Sequence, residues 1–220
     1  MHGFCRMRVI FELSESLGLC GVRADAMLFL SVNKGAVVSV KNIIKHRLYG
    51  APGYFASKVF SLIPSFRLVN LLLRLLGNKI GVGVTIHHGV YLTLPFRLEV
   101  GANSTVNAKS FLDTRMGIKI GSNTMIGRES QIYTLTHQVN DDNFAAVGEG
   151  VEIGDYVVIF PGVKIMPGVK VGSGAVVYPG AVVCRDVEEN SIVGGVPARV
   201  IGQRQSNKEY ALNYNMFWGV

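Results

Sequence analysis

Five histidines mark where this chain of 220 residues could do chemistry, and one of them stands in distinctive company. His137 lies in Thr136-His137-Gln138-Val139-Asn140-Asp141-Asp142-Asn143-Phe144, a polar stretch set between aliphatic runs. A solitary loop histidine is most often a solvated surface residue. A neutral imidazole, with an ordinary pKa of about 6.5, is also well suited to taking a proton from a hydroxyl near neutral pH. Asp141 can orient that ring, meet a substrate, or remain a solvated carboxylate. The adjacent pair His87-His88 raises metal coordination as a second chemistry. Cys5, Cys20 and Cys184 are odd in number and widely spaced. They form neither a disulfide framework nor a CxxC metal pair, and point to a reducing compartment.

The elements that must position these residues declare themselves through a repeat. Ile153, Ile159, Ile165, Val171, Val177 and Val183 recur every six residues. The same beat holds at Ile120, Ile126 and Ile132 and, with slips, at Ile80, Ile86, Leu92, Val100, Val106 and Leu112. Such a period matches neither a helix at about 3.6 nor a strand at about 2. It matches short strands joined by tight turns and stacked as a solenoid. Small or β-branched residues recur four places after the aliphatic (Val157, Val163, Val169, Ala175, Ala181). Of the 26 glycines, 19 fall between Gly77 and Gly202, as tight corners with positive φ require. Three hexads make a triangular coil of 18 residues, with coils about 4.8 Å apart in parallel ladders. The interior is then a closed aliphatic column with no room for catalysis. Function belongs to the outer faces, to loops that break the beat, or to subunit boundaries. The longest break, between Ile132 and Ile153, holds His137.

The first third has a different character. Residues 1–79 carry eleven Lys and Arg against three acids, Glu12, Glu15 and Asp25, whereas residues 80–220 carry eleven against twelve. The formal net charge of +7 therefore belongs to the N-terminal third, which implies an anionic partner surface. Glu12 and Glu15 interrupt any early apolar run, so no secretory signal is expected. The most apolar stretch, residues 59–76, contains Pro64, Arg67, Asn70 and Arg74. It is a poor membrane span, which needs roughly 20 mostly apolar residues. Arg67, Asn70 and Arg74 share one helical face, with leucines over the rest. That pattern fits a helix lying on a membrane surface, and equally a helix packed on the end of the solenoid to shield its first coil. Helices are expected within 54–76, ending at Gly77, with short strands at Met27–Val32 and Ala36–Val40 before them. Residues 203–220 read as a polar tail whose aromatics, Tyr210, Tyr214, Phe217 and Trp218, can dock on a neighbouring surface. With 49% hydrophobic and 17% charged residues, the chain is not of a disordered class.

Three segments add a resemblance: Val100-Gly101-Ala102-Asn103 with Asn107, Ile132-Tyr133-Thr134-Leu135-Thr136-His137, and Gly194-Gly195-Val196-Pro197-Ala198-Arg199. With the repeat, over roughly residues 77–202, they resemble the bacterial hexapeptide-repeat acyltransferase family. Within it the likeness is to the maltose, galactoside and colanic-acid O-acetyltransferases and the xenobiotic acetyltransferases. The resemblance implies a mainly β fold, a left-handed parallel β-helix, here with an N-terminal α-containing extension. The hand comes from the resemblance alone and runs against the usual right-handed crossover. Also implied are acetyl-CoA as co-substrate, His137 as general base, and a homotrimer with sites at subunit boundaries. Asn107 matches an asparagine that lines the acceptor pocket across such a boundary. Asp113 is a further acceptor candidate. Asp141 keeps a family position, although Gln138 stands where a first Asp is usual. Arg185 and Arg199 match basic positions that hold the CoA phosphates, and a guanidinium suits phosphate geometry. Pro161 departs from the family, because it has no N–H where a backbone donor can serve the oxyanion. γ-Type carbonic anhydrases share the fold and hold zinc through three histidines. No histidine follows His137, so that triad is missing and no metal is expected.

The expected organisation is an extension over 1–76, an acyltransferase β-helix over 77–202 with a loop at 137–150, and a tail over 203–220. The expected function is acetyl-CoA-dependent O-acetylation of a sugar hydroxyl in surface-polysaccharide (capsule, O-antigen or exopolysaccharide) synthesis. The alternatives are N-acylation of a nucleotide-linked amino sugar or an antibiotic, and a non-enzymatic hexapeptide scaffold. The loop at His137 argues against the scaffold. A cytoplasmic protein, peripheral at the inner membrane through residues 1–76, would suit a lipid-linked acceptor. Nucleic acid is not an expected partner.

Overall fold

In the computed structural model, which describes residues 53–205 and 208–212, the strands follow the beat residue by residue. Three parallel ladders, called here faces A, B and C, enclose the column. On face A, Ile80, Val100, Ile120, Ile153 and Val171 pair in succession. Ile86, Val106, Ile126, Ile159, Val177 and Val193 are in register on face B. Leu92, Leu112, Ile132, Ile165 and Val183 are in register on face C. None of these is more than 7% exposed. The expected strands at Met27–Val32 and Ala36–Val40, and the aromatics Tyr214, Phe217 and Trp218, lie outside the described residues.

The slips in the beat have a structural meaning. Lys79 pairs with Glu99 and Glu99 with Lys119, steps of 20 residues, whereas Glu152 pairs with Lys170, a step of 18. The early coils therefore carry two extra residues at the corner that joins face C to face A. Positive φ falls three places after the aliphatic, where Asn103, Lys109, Asn123, Glu129 and Tyr156 share the role with Gly83 and Gly162. The glycine directly behind the aliphatic has a different reason, since there the coils touch. A methyl on Gly101 would lie 2.5 Å from Ser122 N and 2.6 Å from Gly121 C, both backbone of the next coil. Gly101→Ala is therefore expected to cost about 1–3 kcal/mol of unfolding free energy, measured by urea unfolding with far-UV circular dichroism. An unchanged midpoint would mean that the coils separate locally without penalty.

The middle coils replace the small aliphatics of the repeat with hydroxyls. Ser104, Ser110 and Thr124 are fully buried and Ser130 nearly so. Each donates to a carbonyl of the next coil: Ser104 to Gly121 O at 2.6 Å, Ser110 to Gly127 O at 3.1 Å, Thr124 to Gly154 O at 2.8 Å and Ser130 to Phe160 O at 3.2 Å. These bonds satisfy corner carbonyls that the short ladders leave unpaired.

At the open end, α1 (residues 53–62) and α2 (Phe66–Leu75) cover the first coil. Gly77, at φ 90, ends α2 with its N–H on Arg74 O, while the Asn78 N–H reaches Leu73 O. That pairing of bonds is a Schellman cap. The two placements considered for α2 differ in which face meets the solenoid. Asn70 Nδ2 donates to Val84 O at 2.7 Å, and Arg74 donates to Ile80 O and Gly81 O at 2.8 Å each. Asn78 adds bonds from Nδ2 to Leu73 O and Pro95 O and accepts the Leu98 N–H. Among the described residues no earlier coil pairs with the first one, and side chains of the cap supply the missing donors. Among the described residues no helix is long and apolar enough to cross a membrane. At the far end, the strand Arg199–Gln203 folds back antiparallel on Ser191–Gly194. Arg204 then donates to Tyr156 O and Gly174 O, and Tyr210 packs edge-on against Tyr156.

Candidate active site

Between the third and fourth coils the chain leaves the column at the corner from face C to face A. It forms a hairpin, Leu135–His137 against Ala146–Gly148, with His137 opposite Ala146. The root of this hairpin is Thr134, which is fully buried. Its N–H donates to Asp113 Oδ2 at 3.2 Å and its hydroxyl to Asp113 O at 2.7 Å, while that hydroxyl accepts the Met116 N–H. Across the mouth, the Glu149 N–H donates to Thr134 O at 3.0 Å.

Asp113 is itself fully buried and holds Arg115 in a two-pronged pair, Nε to Oδ1 at 2.7 Å and Nη2 to Oδ2 at 2.8 Å. Burial pushes the Asp113 carboxyl up, but the Arg115 hydrogen bonds and charge, with the Thr134 and Arg115 N–H groups, outweigh it and hold it below the ordinary carboxylate value. The hydrogen bond to Asp113 in turn raises the Arg115 guanidinium. Both oxygens of Asp113 are therefore committed to the corner beneath the hairpin. In the sequence Arg115 has no distinguishing neighbour, and Thr134 stands out only as part of the segment 132–137. The available signal was the spacing of Leu94, Thr114 and Thr134, which repeats the 20-residue step of the early coils.

His137 is exposed at the end of its strand, with Nδ1 2.9 Å from Phe144 O. A carbonyl can only accept, so Nδ1 carries the hydrogen, and in the neutral ring the lone pair is on Nε2. The Phe144 ring stacks on the imidazole at 4.5 Å and 6°. Phe144 takes a left-handed φ of 47, and its N–H donates to Asp141 O at 2.8 Å. That conformation is uncommon outside glycine and asparagine, and here the loop hydrogen bonds hold it. Asp141 Oδ1 accepts the Asn143 N–H at 2.7 Å, closing the loop tip as an Asx turn. Among the described residues no hydrogen bond joins Asp141 to His137, so Asp141 acts on the ring only through the loop that carries Phe144 O.

The remaining candidates are spread over the prism. Arg185 follows Val183 and is exposed on the same edge as the hairpin. Arg199 starts the returning strand on face B, is exposed, and donates to Ala198 O. Asn107 lies at the corner from face B to face C, where its Nδ2 donates to Ile126 O at 2.9 Å. One chain thus brings His137 and Arg185 to a common edge and leaves Asn107 on another. Around Pro161, the Phe160 N–H is bonded to Val177 O and the Gly162 N–H to Arg128 O, so the N–H groups on either side of Pro161 are both engaged. His87 packs edge-on against Phe66 under the helical cap, and burial, followed by the charges of His88 and Arg128, lowers its pKa. Among the described residues no group of three or more His, Cys, Asp or Glu is placed to hold a metal.

Comparison with known proteins places this geometry. Residues 150–185 match the family model described as bacterial transferase hexapeptide (six repeats). Over 165 residues, 74% of this chain and 89% of the relative, it is 32% identical to the protein named "Putative colanic acid biosynthesis acetyltransferase WcaF" of Escherichia coli (strain K12). The chain belongs to the bacterial hexapeptide-repeat acyltransferases. A crystal structure of a maltose O-acetyltransferase from Clostridium difficile 630 superposes with a TM-score of 0.68 at 26% identity, covering 74% of this chain and 89% of that one. The Vibrio cholerae O1 biovar eltor hexapeptide-repeat acetyltransferase VCA0836, in a structure complexed with acetyl-CoA, shares the fold at a TM-score of 0.60 and 21% identity, over 80% of this chain and 94% of that one. The solenoid of this acyltransferase is the left-handed parallel β-helix of its neighbours.

Proposed function

We propose that this acyltransferase moves the acetyl group of acetyl-CoA to a sugar hydroxyl during surface-polysaccharide synthesis, with His137 as the general base. The observation that carries the reading is the bond from Nδ1 to the Phe144 carbonyl, which in the neutral imidazole puts the lone pair on Nε2 of an exposed side chain. The acceptor proton passes to Nε2 as its oxygen attacks the thioester carbonyl carbon. The C–S bond then breaks, and the departing thiolate recovers the proton from Nε2. No bond to the protein forms.

Arg185 and Arg199, exposed and in no ion pair among the described residues, are the groups for the CoA phosphates. Asp141 Oδ2, with no hydrogen-bond partner among the described residues, is available to an acceptor hydroxyl. Asp113 serves by positioning the hairpin. Asn107 and His137 occupy different edges of one prism, so a site that uses both needs two copies, and we take the assembly to be a homotrimer. The sugar and the polysaccharide setting follow the names of the maltose O-acetyltransferase and of WcaF. A place at the cytoplasmic side of the inner membrane, facing a lipid-linked acceptor, completes the reading.

The test is a screen of acceptors with acetyl-CoA, reading released thiol. Release with sugars that offer only hydroxyls is expected. Release confined to amino sugars or amine antibiotics would replace O-acetylation with N-acylation. Sedimentation velocity is expected to give three chains per particle, and a monomer retaining full activity would remove Asn107 from the site.

A further inference from the structure

Helical caps on soluble proteins turn their apolar stripe inward and their polar face to water. Here both helices do much of the reverse. On α1 the side toward the solenoid is Gly53, Ser57 and Ser61, with Phe60 packed against the core beside them. Ser57 Oγ accepts the Leu92 N–H at 3.0 Å, and Ser61 Oγ accepts the Gly89 N–H at 3.1 Å. On α2 the inward side spends Asn70 and Arg74 on first-coil carbonyls, with Val69 and Leu73 packed beside them. The outward side therefore carries Phe55, Val59 and Leu62 on α1 and Leu68, Leu71 and Leu75 on α2, beside the exposed Lys58 and Arg67. Leu62 is 83% exposed, Leu75 74% and Phe55 65%. Each of the two successive helices thus holds three large apolar side chains in water, which water does not favour.

We infer that this face docks on an anionic lipid bilayer. The inference rests on the membrane-side placement proposed above and not on the acyl-transfer chemistry. Charge selects the occupant. Lys58 and Arg67 stand exposed on the same outward faces, and Lys41, Lys45 and Arg47 precede α1 with no acid among residues 41–58. A second copy would set Lys58 and Arg67 against their own counterparts, whereas anionic headgroups neutralise them while the leucines enter the acyl boundary. Helices too short and too polar to span suit insertion parallel to the surface.

The experiment is flotation of the full chain with vesicles of phosphatidylcholine and phosphatidylglycerol at three to one, and with phosphatidylcholine alone. Binding to the anionic vesicles is expected, weakened by salt and by Lys58→Glu with Arg67→Glu. Leu62→Gln, Leu71→Gln and Leu75→Gln together should lower the partition coefficient by about tenfold or more. All five positions are exposed, so these variants should keep the wild-type melting temperature and the wild-type thioester turnover with a soluble acceptor. His137→Ala should float as the wild type does, which separates a failure of this surface from a failure of the chemistry. Absence of vesicle binding by the full chain would overturn the inference, as would equal binding by the leucine variant. So would a lipid-free wild-type particle that is larger than the leucine variant, because a second copy would then cover the face.

Discussion

Replacing His137 with alanine is expected to lower acetyl-CoA-dependent transfer by about two to four orders of magnitude. The ring is exposed and its polar bond is to the Phe144 carbonyl, so the loss should appear in kcat with the melting temperature unchanged. The size of the effect follows from the tautomer. With the hydrogen held on Nδ1, Nε2 is the only ring atom that can accept the hydroxyl proton. Phe144→Ala keeps the backbone carbonyl and removes only the stacked ring, so its loss should be much smaller, set by looser orientation. If His137→Ala retained turnover within tenfold of the wild type, His137 would not be the base.

Asp113→Ala should have the largest effect on stability, about 3 kcal/mol of unfolding free energy and about 6–12 °C of melting temperature by calorimetry. The carboxylate is fully buried and accepts from Arg115 and from the Thr134 N–H, so its removal leaves a guanidinium and an amide without partners. The lower part of the usual range applies because the Arg115 side chain is 33% exposed and can be partly rehydrated. By contrast, the pair Lys119–Glu152 at 3.0 Å is open to water and salt on both sides and should contribute little. The folded-state pKa of Asp113 is depressed. Its contribution is therefore present above the unfolded carboxylate pKa of about 3.9 and is lost as the pH falls from there through the folded value. Wild type and Asp113→Ala should converge in stability over that acid range, and a gap that persisted below it would assign the loss to packing instead. Since Thr134 roots the hairpin, the same substitution should also lower kcat. A variant with normal kcat but reduced stability would confine Asp113 to the scaffold.

The repeat was legible because a period of six residues allows few alternatives. Once Ile153 to Val183 point inward every six residues, the strands, the corners and the closed column follow. The hydroxyls of Ser104, Ser110, Thr124 and Ser130 were not read as core, because a Ser looks polar until the unpaired carbonyl of the next coil is in view. Glycine was read as a turn residue throughout, yet Gly101 is small because a backbone lies 2.5 Å from where its Cβ would be. Asp113 looked like an acceptor group because nothing in a linear pattern reveals that Arg115 folds back on it.

By itself the sequence determined that this protein is a solenoid with a closed interior and a histidine in its longest interruption. Inward periodicity is a local property that every coil repeats. The tertiary structure decided which nitrogen of His137 is free, since that depends on a carbonyl seven residues away being brought back by a turn. It also decided which side of α2 meets the protein. A helical stripe records amphipathicity, but the unpaired edge of the first coil, with carbonyls demanding donors, chose the polar side and left the leucines facing out.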